Sequence, residues 1–138
     1  IGVPLGRRFR GLKLWVLFRC VGTTGLAESM RSHIEIAEAA AARLDVSPRF
    51  DLAAPVSFST VCFRAVGLGD VEAEDRWNRD ILSQVNSEGR VFLSHTELGG
   101  RYTLRLSVGS VHTESKHVSE ALDALERVAD DLMPRQAT

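Results

Sequence analysis

Lysine is nearly missing from this chain of 138 residues; Lys13 and Lys116 are its only two. Cysteine is as scarce, with Cys20 in an apolar helical stretch and Cys62 in a β-branched, aromatic run. Two thiols so placed make neither a disulfide framework nor a metal site, and both are expected as buried thiols in a reducing compartment. No apolar run approaches the roughly 20 residues that span a bilayer, and the first residues lack the apolar core of a signal peptide. No membrane partner and a cytoplasmic location are therefore expected. A nucleotide-binding glycine pattern, zinc spacing and a nucleophile elbow are all wanting. The formal net charge of −1 provides no global field to recruit nucleic acid. An initiator Met is absent too, and Ile1 opens inside what reads as the approach to a helix, so a fragment of a longer protein is expected.

What is present begins with a turn. Pro4 and Gly6 shape it, and the apolar run Leu12 to Val21 then continues as a helix. Arg7, Arg8, Arg10 and Lys13 crowd the first turns, where the helix dipole already favours an anion. From Phe9 to Phe18 the helix is apolar on nearly every side. A domain of this size can hardly surround it, so part of its surface should meet other chain. Gly22-Thr-Thr-Gly25 should break the helix, with Thr23 or Thr24 capping a second one whose stripe is Leu26, Met30, Ile34, Ala37, Ala41 and Leu44. The domains expected are residues 1–22, a connecting turn and interface helix, and 23–138, a small α+β domain.

Strands are predicted at Phe50 to Ala54, Thr60 to Val66, Val91 to Thr96 and Tyr102 to Val108, the last two joined by a hairpin at Glu97-Leu-Gly-Gly100. Helices are predicted from Val71 to Asn86 and from Ser115 to Leu132, with Met133-Pro134 ending the latter. Short strands with a hairpin signal favour antiparallel pairing. The fold class is α+β, a small antiparallel sheet with helices on one face.

Few residues are candidates for chemistry. His33, His95, His112 and His117 sit on separate elements and share no ligand spacing, so no metal is expected. Lys116 falls in the polar first turn of the last helix, where exposure keeps it protonated and unreactive. Arg105 alternates with Leu104 and Leu106, so it points to the face opposite them. There it would clamp a carboxylate, or else lie on a solvated face or pair with Glu97. Arg64 carries the same alternatives.

The stretch Pro4-Leu-Gly-Arg-Arg-Phe-Arg-Gly-Leu-Lys-Leu-Trp15 resembles the segment that opens the C-terminal portion of the pyridoxal-phosphate-dependent group II amino-acid decarboxylases, the aromatic-L-amino-acid decarboxylase family. The resemblance continues, in order and spacing, through His33, Pro48 to Phe50, Val61 to Arg64, Asn86, Tyr102 to Leu106 and Thr113 to Val118. It implies a fold like the C-terminal domain of fold-type I enzymes using pyridoxal 5'-phosphate, an amino-acid substrate, and a homodimer with active sites between subunits. Leu5 and Gly6 would contact the cofactor phosphate of the partner subunit through their backbone, and Arg105 would lie near the substrate carboxylate. The Schiff-base lysine and the large cofactor-binding domain would lie upstream of Ile1, so the segment alone is expected to be inactive. Within the family, aromatic amino acids are the expected substrates, with acidic amino acids or an aromatic aldehyde synthase as alternatives. A different class, a free-standing interaction module binding nucleic acid through Arg7, Arg8, Arg10 and Lys13, is disfavoured by the weak charge and the lack of interleaved aromatics.

Overall fold

Alternation along the strands decides which side of the sheet is covered. In the computed structural model, which describes residues 10–133, Val61, Phe63 and Ala65 of β2 (Thr60–Ala65) are buried while the residues between them are half-exposed. Tyr102, Leu104 and Leu106 of β4 (Arg101–Ser107) face the same way. With β1 (Phe50–Leu52) and β3 (Ser94–Leu98) they form one antiparallel sheet in the order β1-β2-β4-β3. Phe50 meets Phe63 edge-on across the first pair, with ring centroids 5.6 Å apart.

Three helices complete the chain: α1 (Arg10–Asp45), α2 (Val71–Ser87) and α3 (Ser115–Asp131). The chain divides into two units between Ser32 and His33. In the second unit α2 packs on β2 and β4, and α3 packs on α2. Trp77, Ile81, Leu82 and Val85 of α2 and Val118, Leu122, Leu125, Val128 and Ala129 of α3 fill the core. The closing turns of α1 add Ile36, Ala37, Ala40, Ala41 and Leu44, and Arg43 bonds Asp123 at 2.6 Å and Glu126 at 2.8 Å on α3. The α+β class and the helical bounds of α2 and α3 follow the periodicity of the sequence to within a residue.

Several expectations need correction. The break is narrower than residues 22–25: two helical stretches meet across a kink at Gly22 (φ 73°, ψ 172°), the non-helical residue within α1. Met30, assigned to the buried stripe, is exposed, while Ile36 and Ala40 are buried instead. The thiols are not buried: Cys20 is exposed on its helix, and Cys62 is half-exposed because alternation puts it on the uncovered side of β2. The strand expected from Val91 begins only at Ser94.

In the first unit, Leu12, Leu14, Trp15, Val16, Leu17, Phe18 and Val21 all lie exposed, Trp15 by 60%. No helix among the described residues is long and apolar enough to cross a membrane.

Candidate functional site

The face of the sheet turned away from α2 carries polar side chains in cross-strand rows. Directly opposed residues share a face, so Cys62, Arg105 and Ser94 form one row across β2, β4 and β3. Arg64, next along β2, lies half-buried over this face. It donates from Nε to Thr103 Oγ1 (3.0 Å) and from Nη2 to the Leu98 carbonyl (2.7 Å). Arg64 therefore stitches β2 to β4 and β3, a structural role that resolves its ambiguity.

Arg105 is held differently. Its Nε donates to Ser94 Oγ at 3.0 Å, which orients the guanidinium, and no carboxylate of the described residues lies within ion-pair distance. Both terminal nitrogens stay available on an exposed cation. A planar fork with its inner nitrogen already engaged suits bidentate capture of a carboxylate. Glu97 does not compete: it stands opposite Tyr102, on the other face. Sequence reasoning placed Arg105 on its face but missed Ser94, whose role shows only once the register opposes the two.

The scaffold under this face is set by α2. Asn78 is fully buried, accepting from Ala65 N (2.8 Å) and donating to the carbonyls of Ala65 and Glu74. It stands on the apolar stripe with Ile81, Leu82 and Val85, and a polar residue at a stripe position was the signal available in the sequence. Two turns later Asn86 repeats the clasp on Leu93, accepting from its N–H (2.8 Å) and donating to its carbonyl (3.0 Å).

At the start of α2 two carboxylates anchor the loops. Glu74 accepts from the N–H groups of Gly67 and Leu68, Asp75 from Tyr102 N, and Arg101 bonds both side chains at 3.0 and 2.9 Å. Burial pushes both carboxyls up. For each, a backbone donor (Gly67 for Glu74, Tyr102 for Asp75) and the Arg101 guanidinium outweigh that and hold it below its ordinary value.

The remaining candidates have local roles. Lys116 pairs with Glu114 at 2.8 Å in the open, and this bond holds its ammonium protonated above the usual range. His117 Nδ1 accepts from Glu114 N, His95 stacks on Tyr102 with centroids 4.7 Å apart, and His33 is half-buried on α1. Leu5, Gly6, Arg7 and Arg8 lie outside the described residues.

Comparison with known proteins follows the same lines. The family model of the pyridoxal-dependent decarboxylase conserved domain matches residues 1–66. Phenylacetaldehyde synthase of Arabidopsis thaliana is 41% identical over 95% of this chain and 27% of its own length. Tryptophan decarboxylase 2 of Oryza sativa subsp. japonica is 42% identical over the same shares, 95% and 27%. The solved structure of Oryza sativa TDC with PLP and tryptamine superposes with a TM-score of 0.87 at 34% identity, over 96% of this chain and 29% of that one. The chain thus spans about a quarter of the length of the relatives it matches, and over that segment it is similar to pyridoxal-dependent decarboxylases.

Proposed function

We propose that this segment supplies one wall of the active site of a pyridoxal-phosphate-dependent enzyme that decarboxylates aromatic L-amino acids. The observation that carries the reading is Arg105, an exposed guanidinium oriented by Ser94 and left without an acidic partner among the described residues. It is built to receive the substrate carboxylate. The relatives tryptophan decarboxylase 2 and phenylacetaldehyde synthase support aromatic substrates.

When bound, pyridoxal phosphate supplies the electron sink for loss of CO₂. The described residues do not fit its covalent attachment: Lys116 is tied up with Glu114 in the first turn of α3, and Lys13 belongs to the first unit. The anchoring amine belongs to the rest of the enzyme, and the segment alone is inactive and binds no stoichiometric cofactor. Leu5 and Gly6 reach the cofactor phosphate of a partner subunit through their backbone, in a cytoplasmic homodimer. Residues 1–22 then serve as the connecting turn and interface helix, and 23–138 as the small domain.

The test is CO₂ release from tryptophan, tyrosine or phenylalanine by the full-length enzyme. Arg105→Ala should raise KM for the amino acid by about ten-fold or more. Absence of CO₂ release from all three refutes the proposal. A second reading, that the parent makes an aldehyde, is favoured by the phenylacetaldehyde synthase relative. Amine or aldehyde as the product separates the two.

A further inference from the structure

Ser94 orients the Arg105 guanidinium, yet Ser94 stands where a strand is weakest. It is the first residue of β3, and β3 is an outer strand of the sheet, paired along one side only. The end residue of an edge strand is held by one neighbour and is among the first to open. Arg105, for its part, has no hydrogen-bond partner other than Ser94 among the described residues. If Ser94 shifts, the fork on which carboxylate capture depends shifts with it.

Asn86 supplies the hold that the ladder does not. Leu93 precedes Ser94 and stands outside the ladder, without a partner on β4. Its N–H donates to Asn86 Oδ1 at 2.8 Å, and its carbonyl accepts from Asn86 Nδ2 at 3.0 Å. That carbonyl belongs to the peptide unit joining Leu93 to Ser94, and a peptide unit is planar. Fixing its oxygen therefore fixes the plane from which the Ser94 side chain springs. The anchor is firm at both ends: Asn86 lies in the last turn of α2, beside the buried Leu82 and Val85, and Leu93 is itself buried in the core. Asn78 makes the same pair of bonds to Ala65, but Ala65 is also paired with Phe50 in the β1–β2 ladder. Leu93 has no such second hold.

We infer that Asn86 is a positioning residue for the substrate carboxylate: through the Leu93–Ser94 peptide it holds Ser94 where the hydroxyl orients Arg105. The inference rests on the proposed function and extends the site from the polar face of the sheet to the helix that covers the other face. The path has three links, Asn86 to the Leu93 backbone, Leu93 to Ser94 along the chain, and Ser94 to Arg105 at 3.0 Å. A ligand without a carboxylate makes no use of Arg105, so its binding should be indifferent to Asn86.

The experiment measures, in the full-length enzyme, kcat and KM for the aromatic amino acid it turns over and the inhibition constant of the matching amine, which lacks the carboxylate. Neither KM nor the inhibition constant depends on how much of the enzyme is folded. Asn86→Leu should raise KM about five-fold and leave kcat and the amine's constant within about two-fold. Asn86→Asp keeps the acceptor for the Leu93 N–H but loses the donor to its carbonyl; it should reproduce the rise, and it serves where Asn86→Leu does not fold. Ser94→Ala should match Asn86→Leu, and the double variant should stay near five-fold rather than reach about twenty-five-fold, because both act on one contact. An unchanged KM in the Asn86 variants beside a raised KM in Arg105→Ala overturns the inference and leaves the proposed function standing. So does a parallel rise in KM and the amine's constant, the mark of a residue that supports the enzyme as a whole, and so does a double variant in which the two effects multiply. An Arg105→Ala enzyme with unchanged KM overturns both.

Discussion

Replacing Arg101 with Met would leave Glu74 and Asp75, both largely covered, without the guanidinium that joins them to β4. Hydrogen bonds to charged partners are worth about 1.5–3 kcal/mol, so a loss near 2 kcal/mol is expected by urea denaturation. A change below about 0.5 kcal/mol, the size of an ordinary surface substitution, would show the cluster to be incidental. The same carboxylates set an acid dependence. Both are held below their ordinary values in the folded chain. Their contribution is therefore complete above the unfolded pKa values of about 4 and is lost as pH falls through the lower folded values. Stability from this source should be flat from pH 6 to 8 and decline in acid, and Asp75→Asn should flatten that decline. Asn78 is the more severe site. Asn78→Ala leaves the Ala65 N–H and carbonyl in the core without their side-chain partner, at a cost of about 3 kcal/mol by the same measurement.

Between β3 and β4 the connection is the two-residue turn Gly99-Gly100, with φ of 61° and 74°. This is the left-handed pair that a tight hairpin requires. Gly99→Asn should be nearly neutral, whereas Gly100→Val should cost about 1–2 kcal/mol. Equal effects of the two would contradict the turn assignment. The hairpin was legible in the sequence because glycine pairs flanked by alternating residues have few other uses. The start of β3 was not. Val91, Phe92 and Leu93 have strand-forming side chains, but the Leu93 backbone groups that a ladder would use go to Asn86. Periodicity counts side chains and does not see where backbone donors are spent. The face of Arg105 could be read from Leu104 and Leu106 beside it, while its orientation by Ser94 required the cross-strand register. The helix break at Gly22 was likewise visible as glycine, but its extent of one residue was not, since Thr23 and Thr24 suit either a cap or a continuing helix.

Taken as a whole, the chain carries a helical segment, Leu12 to Val21, whose apolar side chains are exposed throughout. A contiguous apolar surface of this kind drives association in water. Expressed alone, the chain should form concentration-dependent oligomers in sedimentation velocity, and replacing Leu14 and Phe18 with Glu should shift it toward monomer. A monomer at every concentration before substitution would argue that this helix is covered some other way. The clasps made by Asn78 and Asn86 carry a different consequence. Both grip main-chain atoms, of Ala65 and Leu93, and are indifferent to the side chains next to them. Residue 92 can therefore change identity while the backbone beneath it stays where it is. Sequence at position 92 can thus drift without the frame beneath it being rebuilt.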